Sequence, residues 1–184
     1  MAIIKPNNNT LSSITALPTG LGGKVLQVVS TVKTDTFSTS ATSYTAVTGL
    51  SAVITPSSSS NKILVMVGIT LGTSSYTAHY SLRRGASTDL LLADAASNRA
   101  RTTAVSNPRD TETGATQNTI PNVFLDSPNT TSATTYQAYI KCRNTSQTVY
   151  VNRSHLDNDG TTYDPRSTST ITVMEIAGWL QKQY

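Results

Sequence analysis

The chain has 184 residues, a formal net charge of +4 and a single cysteine. Charged residues make up only 13% of it, well below the ~25% of an ordinary soluble domain, and serine and threonine fill the gap at roughly 30%. The 14 Lys and Arg are scattered, Arg83-Arg84 being the one adjacent pair, so no basic run interleaved with aromatics points to a direct nucleic-acid partner.

Residues 1–23, MAIIKPNNNTLSSITALPTGLGG, combine an Asn run, two prolines and three glycines with scattered Ile and Leu. They show neither a period of 2 nor one of 3.6, and hold too little apolar surface to fold alone. They are read as an extended arm that docks onto a partner subunit through Ile3, Ile4, Leu11, Ile14 and Leu17. The same stretch lacks a long apolar h-region, so a secretory signal is not expected. No run reaches the ~20 apolar residues of a membrane helix, and no membrane partner is expected. Lone Cys142 cannot form an internal disulfide, which fits assembly in a reducing cytoplasm.

From Lys24 the pattern is that of strands. KVLQVVSTVK (24–33) is apolar on both parities and predicts a strand covered on both faces. TFSTSATSYTAV follows, with Phe37, Tyr44 and Val47 as inward candidates, and Gly49-Leu50 turns into SAVIT. Pro56 and four serines fence off KILVMVGI, which reads as a buried central strand over 62–71. YTAHYSLRRG (76–85) alternates, and short strands are expected at 89–94, 99–105 and 119–125. TTYQAYIKCR (134–143) sets Tyr136, Ala138, Ile140 and Cys142 on one face and Gln137, Tyr139, Lys141 and Arg143 on the other. QTVYVNR (147–153) is expected to pair with it as a hairpin, and STITVMEIAG (169–178) is the last strand. No stretch carries a helical stripe, while threonine suits a pleated surface. The fold class expected is all-β: a jelly-roll-type β-sandwich of about ten strands at 24–178, with an N-terminal arm at 1–23 and a C-terminal extension at 179–184.

Several phrases in order, GKVLQVVSTVKTDTFST, TSYTAVTGLSAVITPSSSSNKILVMV, TVYVNRSHLDNDG and STITVMEIAG, resemble small structural proteins of tailed phages, especially marine and cyanobacterial ones. These are described as tail-fibre-like or virion structural proteins. The likeness spans roughly residues 24–178 and is one of structural pattern, with GWLQKQY extending past it. It implies a virion component, a fibre module or a head or collar decoration. Such modules commonly close three-fold, so a homotrimer contacting other virion proteins is expected.

Catalytic constellations are missing. There is no G-x-S-x-G, H-E-x-x-H or P-loop, and Ser154-His155-x-Asp157 puts triad residue types side by side on one loop, where they do not converge. An enzyme is not expected. Asp157-Asn158-Asp159-Gly160 with Asp164 has clustered oxygens, but Asn-Asp-Gly is a strong turn former and the spacing is not that of an EF-hand. It reads as a plain loop, and no metal or cofactor is expected. Arg83, Arg84, Arg99, Arg101 and Arg109 would form a basic patch if their strands were neighbours. Tyr76, Tyr80, Tyr139, Tyr150 and Tyr163 have rings suited to stacking on sugars, or to bridging a core edge. Arg83, Arg84, Tyr139 and Tyr150 are accordingly the candidates for surface binding, with a host surface glycan as the alternative partner at a fibre tip.

Overall fold

The apolar run behind the serine-rich turn is the axis of the molecule. The computed structural model describes residues 24–107, 116–160 and 164–177, and among them the chain forms eleven strands and no helix. In chain order these are β1 (Val25–Lys33), β2 (Phe37–Thr39), β3 (Thr45–Ile54), β4 (Lys62–Thr73), β5 (Ala78–Arg84), β6 (Thr88–Leu90), β7 (Ala104–Ser106), β8 (Asn118–Asp126), β9 (Thr134–Cys142), β10 (Val149–Val151) and β11 (Ser169–Ile176). They make two antiparallel sheets. Sheet A runs β1-β11-β4-β10-β2 with β8 on the other edge of β4, and sheet B runs β3-β9-β5-β6 with β7 also on β5. The two pack face to face as the β-sandwich the sequence calls for.

β4 is central because both its edges are paired, to β8 on one side and to β11 and β10 on the other. Its side chains alternate. Ile63, Val65, Val67 and Ile69 are buried, whereas Lys62, Leu64, Met66 and Gly68 are half-buried. Its inward side chains share one core with Val47, Leu50, Ala52 and Ile54 of β3, Ala78, Tyr80 and Leu82 of β5, and Tyr136, Ala138, Ile140 and Cys142 of β9. Each fully buried aliphatic side chain contributes roughly 1.5–3 kcal/mol. The turn before β4 is held from a distance. The buried Glu175 carboxylate of β11 accepts from the Ser57 amide at 2.6 Å, the Ser57 hydroxyl at 2.7 Å and Asn61 Nδ2 at 2.6 Å.

Four sequence expectations are corrected. β1 is not covered on both faces: it pairs only with β11 and lies at the edge of sheet A, with Val25, Leu26, Val28 and Val32 exposed. Its apolar residues on both parities had suggested two-sided burial. Gly49-Leu50 does not end a strand but sits in a wide bulge of β3, where 47–50 lie between partners Tyr139 and Gln137 of β9. Gly49 takes φ +80° there, a left-handed conformation glycine adopts without strain. The bulge lets Val47 and Leu50 both reach the core.

The expected hairpin of 134–143 with 147–153 does not form: β9 belongs to sheet B and β10 to sheet A, so the turn between them is a corner joining the layers. Buried Gln147 holds that corner, donating to Thr73 Oγ1 (2.6 Å) and the Thr77 carbonyl (3.1 Å) while accepting from the Arg143 amide (2.9 Å). Beyond β10 the backbone passes so close to β4 that a Cβ on Gly72 would lie 2.3 Å from the Arg153 carbonyl oxygen. The strands expected at 89–94 and 99–105 shrink to β6 and β7, three residues each. Leu91 takes φ 52°, and the intervening chain is held by side chains: Arg101 donates to the Ala93 carbonyl and Thr103 to that of Leu90.

Candidate functional site

Adjacent residues on a strand face opposite ways, and this divides the Arg83-Arg84 pair. Arg84 turns to the end of the sandwich, where its Nη1 donates to both carboxylate oxygens of Asp126 at 3.0 and 2.8 Å. Tyr136 donates to the same carboxylate at 2.7 Å. Burial first, and then this carboxylate, push the Tyr136 phenol well above its ordinary range. The cluster joins β5 and β9 of sheet B to the end of β8 in sheet A, a structural role rather than an open surface.

Arg83 points out of sheet B. Its Nε pairs with Asp89 at 2.6 Å, and its guanidinium lies 4.6 Å from the Tyr139 ring centroid and 4.9 Å from that of Tyr44. Lys141 Nζ lies 4.9 Å from the Tyr44 centroid, and the Arg143 guanidinium 5.2 Å from that of Tyr76. Cations and tyrosine rings therefore alternate along the outer side of sheet B, from Tyr139 and Lys141 on β9 to Arg143 just past its end. His79 lies beside Lys141 in the register. Burial, then the positive charges of Lys141 and Arg143, hold its imidazole below the ordinary value. Among the described residues Lys141 and Arg143 make no ion pair.

The other proposed residues go elsewhere. Tyr150 lies on β10 of sheet A, with the Arg153 guanidinium 4.1 Å from its ring centroid and His155 Nδ1 3.4 Å from its hydroxyl. Tyr80 is not a surface ring but a core residue. Its hydroxyl has no hydrogen-bond partner among the described residues, and burial pushes its phenol well up. Arg99 and Arg101 bond to backbone carbonyls at 96 and 93 on the irregular segment. Arg109, Tyr163 and the arm residues Ile3, Ile4, Leu11, Ile14 and Leu17 lie outside the described residues, as does the extension at 179–184.

Asp157 and Asp164 of the loop after β10 have their carboxylates occupied. Asp157 Oδ2 is shared by Arg153 and Arg166, each at 2.9 Å. Asp164 accepts from the Ser154 hydroxyl and from the Asn158 amide. Ser154 thus bonds Asp164 while His155 faces Tyr150, so the three triad residue types are divided among different partners.

A second face lies on the opposite side of the sandwich. The registers across β1, β11, β4 and β8 align Val28, Met174, Leu64 and Leu125 in one outward row of sheet A, and Ser30, Thr172, Met66 and Val123 in the next. Val32, Thr170, Gly68 and Pro121 form a third. Val28 (53% exposed), Val32 (58%), Val123 (61%) and Leu125 (53%) stand open to solvent. These three rows contain no charge, and the nearest, Lys62, lies one row beyond. A contiguous apolar surface of this kind marks an interaction site more often than scattered apolar residues do. Its signal in the sequence was the apolar residues on both parities of β1 and β4.

No protein-family model matches the chain, and no curated protein is significantly similar to it.

Proposed function

We propose that this protein is a structural component of a phage virion, a β-sandwich that assembles with copies of itself and attaches to the particle through its N-terminal arm. The observation that carries the assembly half of this reading is the apolar outer face of sheet A. A face with three uncharged rows, bounded by the long edge strands β1 and β8, suits burial against neighbouring copies of the chain. Exposed flat apolar edges otherwise invite uncontrolled pairing. Two like-charged chains, each at +4, also meet with least repulsion where no charge is presented. The resemblance of the strand phrases at 24–178 to tailed-phage structural proteins supports the virion setting, and a jelly-roll connectivity and a homotrimer belong to the same proposal.

Light scattering on the purified full chain tests assembly. A trimer is expected at micromolar concentration, falling to monomer when Val123 and Leu125 are both changed to Glu. Both side chains point to solvent, so the variant keeps its strand signature by circular dichroism. A wild-type chain that stays monomeric overturns the assembly reading. Mass spectrometry of purified particles from the host tests the virion setting, which fails if the protein is missing from them.

A further inference from the structure

The opposite side of the sandwich has a different chemistry, and the geometry points to a second site there: the outer face of sheet B, built on Tyr76, Arg143, Lys141 and Tyr44, binds an acidic glycan. Three observations carry this. The first is unmatched charge. Arg83 is neutralised by Asp89, but Lys141 and Arg143 have no carboxylate partner among the described residues. Lys141 is on the outer face of β9, and Arg143 follows one residue past the end of that strand.

The second is the ring beside them. Tyr76 is 43% exposed and takes φ 56°, a left-handed conformation unfavourable for a bulky side chain. Strain of this kind persists where the surroundings over-determine it, and such positions cluster at binding sites. Here the surroundings are visible. Gln147 bonds the Thr77 carbonyl on one side and the Arg143 amide on the other, fixing the turn that carries Tyr76 to the strand end that carries Arg143. Thr73 Oγ1 donates to the Ser75 carbonyl at 2.8 Å, and the Ser74 amide to that of Thr148 at 3.0 Å. The backbone that carries the ring and the cation is thus held in place before any ligand arrives, which lowers the ordering cost of binding. The third is an unused polar atom across the strand pair from Lys141: His79 Nδ1 is buried without a hydrogen-bond partner.

A pyranose offers an apolar ring face to Tyr76, hydroxyls to hydrogen-bonding groups, and a carboxylate or sulfate to Lys141 and Arg143. Single-stranded nucleic acid fits less well. It needs successive free rings for its bases, and here Arg83 lies over the rings of Tyr44 and Tyr139 and Arg143 over one side of Tyr76, so that only Tyr76, 43% exposed, offers ring surface to a ligand. This site is independent of the assembly face, which lies on the other sheet.

Calorimetric titration of the full-length protein tests it with four probes: a hexamer of galacturonate, a sulfated heparin hexasaccharide, neutral maltohexaose, and a dT12 oligonucleotide. At least one acidic hexasaccharide is expected to bind ten-fold or more tighter than maltohexaose, and the two acidic arms separate carboxylate from sulfate. Arg143→Gln and Lys141→Gln are each expected to weaken it at least five-fold, as is Tyr76→Ala, while Tyr76→Phe retains binding. Arg166→Gln removes the same charge from the loop after β10 and is expected to change affinity less than two-fold. The oligomeric state of each variant stays that of the wild type, so a failure here is distinguishable from a failure of assembly. The proposal is overturned if neither acidic glycan binds, if maltohexaose binds equally, if Arg166→Gln weakens binding as much as Arg143→Gln, or if dT12 binds more tightly through the same residues.

Discussion

Glu175 shows how a single side chain can fix a turn that the sequence leaves loose. Its burial alone would raise the carboxyl, but hydrogen bonds from Asn61 and Ser57 outweigh this and hold it below the usual carboxylate range. A group whose folded value lies below its unfolded one, about 4.3 for Glu, contributes stability that is fully present above the unfolded value. That contribution is lost as pH falls through the folded value. Glu175→Gln should therefore lower the melting temperature at pH 7 and narrow its gap to the wild type as pH drops from 5 toward 3. A gap that stays constant across that range would show that Glu175 does not titrate with folding. Tyr80 is the opposite case, a buried hydroxyl with no partner among the described residues. Tyr80→Phe removes an unsatisfied donor without opening a cavity, so it should be neutral or stabilising by about 1 kcal/mol in urea denaturation. Asp126→Ala should cost about 3 kcal/mol, since it strands Arg84 and the Tyr136 hydroxyl. This is the low end for breaking a buried pair, because Arg84 keeps part of its side chain in water.

At the scale of strands, β4 separates two kinds of apolar position that the sequence mixes. Val65 is fully buried between the sheets, whereas Val123, register partner of its neighbour Met66, stands in solvent. Val65→Asp should abolish folding, as an unpaired buried charge costs several kcal/mol. Val123→Glu should fold normally and change only association. Circular dichroism and light scattering on the two variants read these outcomes separately. Gly72 marks where β10 crosses onto β4. Gly72→Ala would force its methyl into the Arg153 carbonyl and should cost about 1–3 kcal/mol, visible as a lower urea midpoint.

For the whole molecule, the sandwich divides its two outer faces by chemistry: apolar rows on sheet A, cations and tyrosines on sheet B. This division permits one face to assemble while the other stays free for a ligand. Attachment to the particle rests in the proposal on residues 1–23. Ile3, Ile4, Leu11, Ile14 and Leu17 would each contribute roughly 1.5–3 kcal/mol if fully buried in a partner groove. Ordering the backbone opposes this by about 1–2 kcal/mol per residue, so added hydrogen bonding is required, as in strand addition to a neighbour's edge. Deleting residues 1–20 should leave the melting temperature of the sandwich within a few degrees of the wild type while removing the protein from assembled particles. Normal occupancy of the truncated chain would place the anchor elsewhere.

Local chemistry in the sequence was enough for the all-β class, the central place of β4 and the two faces of β9. Threonine content, period-2 alternation and turn residues act within a few positions of one another, and each is legible without knowing where the chain goes next. The sequence also holds the parity that sets Tyr139, Lys141 and Arg143 on one side. It does not hold what lies beside them. Tyr44 and Tyr76 reach that strip through strand register and through a corner pinned by Gln147, contacts spanning from a few to about a hundred positions. The burial of β1 went the other way: an apolar strand looks the same whether its outer face meets a second layer or water. Only pairing across the sheets decides that, because burial belongs to neighbours in space and not to the residue itself.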